Sequence, residues 1–539
     1  MRNDKPSILI LGASQMQLPA IYAAKELGWT VIVADADASA PGAALADYFE
    51  HVDLKDREGM TLAAIRHREA GRLDGVFTAG TDFSTTVAWV AEKLSLPGIS
   101  YETALNASDK ARMRTVFHRK GIASPAFVSL TPGEDPLSIM ESLQLPLVIK
   151  PVDSMGARGV RRVDTEAELS RAVADAFEHS RSGRVIVEQY IEGPEFSLDA
   201  IIYKGSISLC GIADRHISFP PYFVEMGHTM PTLYDESAQQ KVINLFFEGI
   251  RALGIDNGAA KGDIKLSKEG PVVGEIAARL SGGYMSGWTY PYSSGIRVTE
   301  EALKIAVGLP PGNLVPVRHR TAAERAFISI PGVVAEVESD VESTPGLSDI
   351  FYRVDSGDTV TFPTNNVEKC GSIIAVDDER ERAAAIAEKA RRAVFLRLVP
   401  FAEKTRSFLF GHDYGWVPDA FSLTLKENLR AYEKMAPACA GLLEAVRLGK
   451  VAALPVLEAE ASVDWHGEHI LDAFGRVLRK TGFETVSCGS DPAAEPAVGK
   501  LFWKAFLRGG VQGGVWILDS LVKLESERDK HTEVLHWLN

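Results

Sequence analysis

Asp263 and Glu275 stand on two apolar runs, Gly262-Asp-Ile-Lys-Leu-Ser267 and Pro271-Val-Val-Gly-Glu-Ile276, which flank Lys268-Glu269-Gly270. A three-residue hairpin loop with Gly in its last position pairs Ser267 with Pro271 and sets the two acids opposite each other. Directly opposed residues have Cβ atoms about 4.5–5.5 Å apart, and like charges there repel. Mg²⁺ takes one or two protein carboxylates and completes its octahedron with water and phosphate oxygens, so a metal would relieve that repulsion. A surface hairpin with solvated acids is the competing reading. Beyond Glu275 comes Arg279, a group that can hold a carboxylate, phosphate or oxyanion bidentately, or simply pair with a nearby acid. Gly282 and Gly283 then let the backbone approach a ligand closely.

Lys150 closes the apolar run Pro146-Leu-Val-Ile, and a lysine there is costly to bury without an anion. The loop after it carries Ser154, Met155, Gly156, Ala157, Arg158 and Gly159 before a second strand begins. It joins strand to strand and lacks a Gly-Lys-Ser/Thr ending, so it is not a Walker A loop; a Gly-rich hairpin over phosphates is the alternative design. Glu188, Gln189, Tyr190 and Ile191 follow another strand, where a backbone edge could meet a purine, and Glu195 could accept from ribose hydroxyls. Near the start, Gly12-Ala-Ser-Gln-Met-Gln17 opens a helix but has Ser14 and Gln17 where a dinucleotide fingerprint needs glycines. Ser14, Gln15 and Gln17, with Thr81 and Asp82, could instead face a small polar substrate at the strand ends. For Asp82 a helix N-cap is the favoured reading.

These groups need elements to hold them. Residues 1–105 alternate strand and helix, the pattern of a doubly wound parallel sheet. Residues 106–315 read as α+β, with strands at Leu147–Lys150, Val160–Val163, Val185–Gln189, Ser197–Tyr203 and Ile207–Ala213. Residues 316–400 are strand-rich and closed by a charged helix over Glu379–Leu398. Residues 401–539 turn toward helical segments such as Leu423–Tyr432 and Ala440–Val446. The fold class expected is therefore multidomain, α/β and α+β, with an extra mixed domain at the end. The chain of 539 residues has 58 basic and 72 acidic side chains, a formal charge of −14, which argues against a chain-wide nucleic-acid surface. Cys210, Cys370, Cys439 and Cys488 are scattered without a CxxC pair, and no signal peptide or 18-residue apolar run stands out. A cytoplasmic enzyme without membrane attachment is the expectation.

Taken in order, Asn106-Ala-Ser-Asp-Lys110, Val148-Ile-Lys150-Pro151, the 153–160 loop, Val187-Glu188, Gly193-Pro-Glu195 and Gly274-Glu275-Ile-Ala-Ala-Arg279 resemble the ATP-grasp superfamily. Within it the chain is similar to the carboxylate–amine ligases, over roughly residues 7–400. The resemblance implies an α/β domain, two subdomains gripping ATP, and a small β-rich lobe like that of the biotin carboxylase-like branch. It implies that Lys110 and Lys150 contact phosphates and that Gly156 to Gly159 form a lid. It places Glu188 to Ile191 at the adenine, Glu195 at the ribose, and Mg²⁺ or Mn²⁺ on Asp263 and Glu275. Arg279 would steady the acyl-phosphate and tetrahedral species. Phe223-Val-Glu225-Met-Gly-His228 looks like the stretch lining the amino-acid site in bacterial L-amino-acid ligases, with Glu225 at a substrate ammonium and His228 near the reacting carboxyl. Ala277 departs from the pattern, which often has Asn there as a further metal ligand.

The expected function is ATP-dependent ligation of a small carboxylate, an amino acid or similar, to an amine through an acyl phosphate. A bicarbonate-dependent carboxylase and a non-catalytic nucleotide-binding regulator are the alternatives. The partners expected are small molecules, with a homodimer as one assembly. Residues 401–539 match nothing recognised. His466 and His469 make at most half a metal site and read better as a solvated helix face, with Asp464 as that helix's cap.

Overall fold

The computed structural model describes residues 5–341, 344–411, 415–435, 442–487 and 496–526. Cys439 and Cys488 lie outside the described residues, as does part of the helix expected over Ala440–Val446; Cys210 and Cys370 are buried free thiols. Two compact units result: Met1–Glu324 with Ile374–Ala384, and Arg325–Ile373 with Ala385–Asn539.

The first unit begins with a four-stranded parallel sheet. In spatial order its strands are Tyr48–His51, Thr30–Asp35, Ser7–Leu11 and Gly75–Phe77. Ser7–Leu11 is buried throughout, as its unbroken apolar run requires for a strand covered on both faces. Tyr48–His51 was not legible beforehand: it is an edge strand of mixed polarity with neither face fully buried.

Next comes an antiparallel sheet ordered Phe127–Leu130, Val185–Gln189, Leu147–Pro151, Arg161–Val163. The helix Glu166–His179 covers it through Leu169, Ala172, Val173 and Ala176, and a capping box of Thr165 with Glu168 starts that helix. The third sheet of the unit runs Gly270–Ala277, Gly258–Ser267, Glu195–Tyr203, Ser206–Ser218, Val224–Met230, antiparallel where registers are given. The helices Lys110–Lys120 and Glu236–Leu253 press Phe117, Val242, Phe246 and Ile250 onto it. Phe223–Pro231, read from sequence as a lining stretch, is largely this last strand.

In the second unit, Gly332–Ser339 pairs with Thr359–Val360 on one side and Val394–Leu398 on the other. The expected helix Glu379–Leu398 is thus corrected: helix Arg380–Ala393 gives way to a strand where Val-Phe-Leu-Arg-Leu concentrates β-favouring side chains. Farther on, Lys450–Ala453 pairs in parallel with Glu484–Ser487. The helix Lys500–Ser526 is broken at Gly510, whose φ of 61° and ψ of −148° are non-helical. Across the break the two halves fold back on each other: a Cβ on Gly513 would lie 2.2 Å from the Ala505 carbonyl oxygen, and one on Gly514 3.1 Å from the Phe506 ring. Only glycine allows that approach.

Candidate functional site

The hairpin carrying Asp263 and Glu275 differs from expectation in its turn and agrees at its acids. Ser267 pairs with Gly270, not Pro271, so the loop is two residues, Lys268 and Glu269. The register then shifts at Gly274, and Asp263 faces Glu275 after all. Gly274 is the extra residue of this bulge; its Cβ would stand 3.0 Å from the Asp263 carbonyl oxygen. Ser197 Oγ donates to Asp263 Oδ1 at 3.1 Å, and Arg215 Nη1 lies 3.0 Å from Oδ2, which also meets the Lys261 ammonium. Glu275 keeps a third of its side chain exposed and sits 3.5 Å from Lys110 Nζ. Burial works against its charge, yet Lys110, Lys261, Arg279 and Lys150 together hold its pKa down to about 2.

Two carboxylates side by side suit a hard divalent cation that shares its shell with phosphate oxygens. Among the described residues there is no group of three His, Cys, Asp or Glu able to hold a metal by themselves. The donor set therefore fits a Mg²⁺ that arrives with a nucleotide better than a protein-only cage.

Lys110 is the first residue of the helix Lys110–Lys120, set there by Asp109, whose side chain accepts from the Arg112 N–H. Its ammonium is buried, donates to the Ser154 carbonyl at 3.0 Å, and so ties the helix start to the Gly-rich loop. Burial disfavours its charge, but Glu275, Asp82 and Glu188 more than compensate and raise its pKa. The loop's base is pinned by Asp153, which accepts from the N–H groups of Arg181 and Ser182. Gly156, Ala157 and Gly159 all have positive φ, with Ala157 at 60°.

Lys150 Nζ lies 2.6 Å from Glu188 Oε2. Glu188 is 2% exposed, and its other oxygen is 2.9 Å from Arg114 Nε, on a side chain with no exposure at all. Burial pushes the Glu188 pKa up, but Arg114 and Lys150 bring it below the usual carboxylate range. The side chain of Glu188 is thus a counter-ion between two cations. Along the backbone after it, the Gln189 and Tyr190 N–H groups bond the carbonyls of Ala126 and Pro146. The Tyr190 ring is flanked by Arg162 at 4.4 Å and Lys265 at 5.0 Å, and Lys265 Nζ donates to the Ile191 carbonyl at 3.0 Å. Glu195 is engaged by Arg215 and lies 3.9 Å from Lys265.

Arg215, near the end of its strand, links Glu195, Glu225 and Asp263 and keeps a tenth of its side chain exposed. Glu225 Oε2 lies 3.4 Å from His228 Nε2, and His228 Nδ1 lies 3.3 Å from Glu324 Oε2. Burial lowers the His228 pKa, but the two carboxylates outweigh it and raise the imidazole to about 9. Gly283 closes over this pair: a Cβ there would be 3.0 Å from Glu225 Oε1 and 3.3 Å from His228 Cε1.

Arg279 Nη2 lies 3.1 Å from Asp82 Oδ1. The cap assigned to Asp82 is corrected by this: the helix Ser84–Lys93 has Phe83 at its N-cap with no side-chain bond. Ala79 bridges to Leu280, and a Cβ on Gly80 would stand 3.4 Å from the Gly282 Cα and 2.9 Å from Met16 Cβ. The strand ends of the parallel sheet therefore meet the Arg279–Gly283 segment. Gln17 is buried and donates to the Ala79 carbonyl, while Ser14 donates to Gln17, so both brace the turn instead of facing a substrate. Behind the segment, Asp199 accepts from Ser281 Oγ at 2.6 Å. Desolvation in its buried position raises the Asp199 pKa to about 7.

Sequence reasoning missed Arg114, Arg215, Lys261, Glu324 and Asp199. The signal available was a charged residue inside an apolar strand or helix face, which only acquires meaning once its partner is known.

Residues 143–287 match the ATP-grasp domain family, and residues 326–399 match the L-amino acid ligase C-terminal domain 2. Human carnosine synthase 1 is 24% identical over 339 residues, which cover 58% of this chain and 41% of that protein. The alanine–anticapsin ligase of Bacillus subtilis is 28% identical over 266 residues, 44% of this chain and 55% of the relative. The chain thus spans about half the length of these two curated relatives. Among solved structures, an L-amino acid ligase from Bacillus licheniformis superposes with a TM-score of 0.64 at 23% identity, over 74% of this chain and all of that one. Residues 143–287 thus carry an ATP-grasp domain, with the paired acids, the lysines and the strand-linking Gly-rich loop in or beside it, and the chain is similar to carboxylate–amine ligases.

Proposed function

We propose that the protein joins a small carboxylic acid, an amino acid by preference, to an amine at the expense of ATP. The observation that carries this is the continuity of two sites. Lys110, Lys150 and Arg279 gather their charge around Glu275, and Gly283, four residues past Arg279, packs against Glu225 and His228. One half suits phosphates and the other a group bearing both charges.

In this reading a carboxylate oxygen of the acid attacks the γ-phosphorus, the bond to ADP breaks, and an acyl phosphate forms. The amine then attacks the acyl carbon, loses a proton, and inorganic phosphate leaves. Lys110 and Lys150 neutralise phosphate oxygens during the transfer, for which positioning and charge stabilisation are the main protein contributions. For Lys150 to turn toward phosphate, its bond to Glu188 must be shared or released. Asp263 and Glu275 would hold Mg²⁺ or Mn²⁺, which when bound offsets charge on the phosphate oxygens. Arg279, steered by Asp82, faces the acyl group and its tetrahedral successor. Glu225 accepts the substrate ammonium, and charged His228 donates toward the substrate carboxyl. The 153–160 loop covers the phosphates and keeps water from the acyl phosphate. Beyond the strand, the Tyr190 carbonyl and Ile191 N–H are the backbone groups assigned to adenine, with Glu195 at the ribose.

The chain divides in this proposal into 1–105, 106–315, 316–400 and 401–539, with the ligase chemistry in the first two parts. A reducing cytoplasm suits two buried free thiols. Among the described residues no helix is long and apolar enough to cross a membrane. The test is ADP release measured over a panel of amino acids and amines: it must require both an acid and an amine. Unchanged turnover in Glu275→Ala would remove the metal assignment.

A further inference from the structure

The second unit contains a cavity that the ligase chemistry leaves unused. It has a volume of about 40 Å³, beyond the 10–15 Å³ that one water centre needs. It lies where the last helix breaks at Gly510, against the loop Asp464–Glu468 and the side chains of Arg392 and Arg476.

The loop is held rigidly. Asp464 Oδ1 accepts the N–H groups of His466 and Glu468, both at 2.8 Å, and Arg392 Nη1 donates to the His466 carbonyl at 3.2 Å. This corrects the sequence reading twice. Asp464 caps a turn and not the helix Ile470–Thr481, whose N-cap is His469, and His466 does not sit on a solvated helix face. The carbonyls freed by the helix break are satisfied separately, since Leu507 and Arg508 accept from Phe421 and Ala420.

Two polar atoms in the loop are not satisfied. Trp465 Nε1 and His466 Nε2 are both buried and have no hydrogen-bond partner. A buried donor without an acceptor costs about 1–3 kcal/mol, which a ligand can return. Burial and the charges of Arg391, Arg476 and Arg392 hold the His466 pKa well below its ordinary value, so the ring is neutral in a positive field. Arg476 is balanced by Glu468 at 2.9 Å, which leaves Arg392 and Asp464 as opposed charges around the same space. Asp464 Oδ2 points toward Gly510, 3.9 Å from where a Cβ would be.

We propose that this cavity binds a small α-amino acid as its zwitterion, with the carboxylate taken by Trp465, His466 and Arg392 and the ammonium by Asp464. A lining with separated charges, an unmet indole N–H and an unpartnered imidazole nitrogen recognises both ends of such a molecule, whereas a simple anion leaves Asp464 repelled and a simple amine leaves the indole N–H unmet. This does not rest on the ligase reading, and it is read from a tryptophan resonance and not from turnover.

The test labels the full-length protein with 5-fluorotryptophan and assigns the Trp465 resonance by its loss in Trp465→Phe. Titration with glycine or L-alanine, without ATP, is expected to shift that resonance saturably. Acetate and methylamine, each at matched ionic strength, should bind about tenfold more weakly, the factor that 1.4 kcal/mol brings. Asp464→Asn should weaken glycine by about as much, and Glu225→Gln should leave the Trp465 response as it is. The ligand comparison stands even where Asp464→Asn disturbs its loop. Acetate binding as tightly as glycine overturns the zwitterion assignment, and a Trp465 resonance that does not move with glycine overturns the site.

Discussion

Glu188→Gln removes one charge from the cleft while keeping its shape. The parent carboxylate is 2% exposed and touches two cations, Lys150 at 2.6 Å and Arg114 at 2.9 Å. Arg114 has no exposure, so it cannot turn to water when its partner is neutralised. Breaking a buried pair on one side costs about 3–5 kcal/mol, because the other charge stays buried and uncompensated. In a cooperative unit of 150–250 residues each kcal/mol moves the melting temperature by about 2–4 °C. The nucleotide-free variant should therefore melt about 6–20 °C below the parent, followed by scanning calorimetry. Lys150→Met should cost less, since Glu188 keeps Arg114. The competing role for Glu188, a direct contact to adenine, makes the opposite demand: weaker ATP binding with an unchanged nucleotide-free melt. A melt within about 1–2 °C of the parent, well short of the shift worked out above, would refute the counter-ion argument.

Two further outcomes follow from distances and charges. His228 has a pKa of about 9 against an ordinary 6.5, so its contribution is fully present below pH 6.5 and lost as pH rises through 9. The difference in melting temperature between the parent and His228→Asn should shrink steadily over that window; a constant difference would show that the imidazolium is not what the carboxylates stabilise. Gly283→Ala places a methyl 3.0 Å from Glu225 Oε1 at a φ of 61°. Steady-state kinetics should show a KM for the amino acid raised at least tenfold, about 1.4 kcal/mol, with the KM for ATP little altered. An equal rise in both would place Gly283 outside the amino-acid pocket.

What could be read from sequence was whatever depends on neighbours along the chain. The buried strand Ser7–Leu11, the hairpin with its paired acids and the Gly-rich link between strands are all local patterns. The opposition of Asp263 and Glu275 survived a wrong turn assignment because the extra residue at Gly274 restored the register that the shorter loop had shifted. Asp82 shows the limit. A cap is a local explanation and seemed sufficient, but its true partner, Arg279, is 197 residues away.

The groups that were not legible share a physical reason. Arg114 and Glu188, or Arg215 and Glu225, are tolerable inside the protein only as pairs, and each half looks like an error on its own strand or helix. Arg215 has no motif around it, yet it holds three carboxylates assigned separately to ribose, metal and substrate amine. Those three acids would otherwise repel one another across a single sheet face. A cation shared among them offsets that repulsion before any ligand arrives, and a ligand bearing positive charge must then compete with Arg215 for each. Under the proposed roles, that competition would make the site selective: a group too weakly charged or poorly placed would not displace the guanidinium. The chemistry assigned to Asp263 and Glu225 depends on a residue whose importance appears only when the strands are paired.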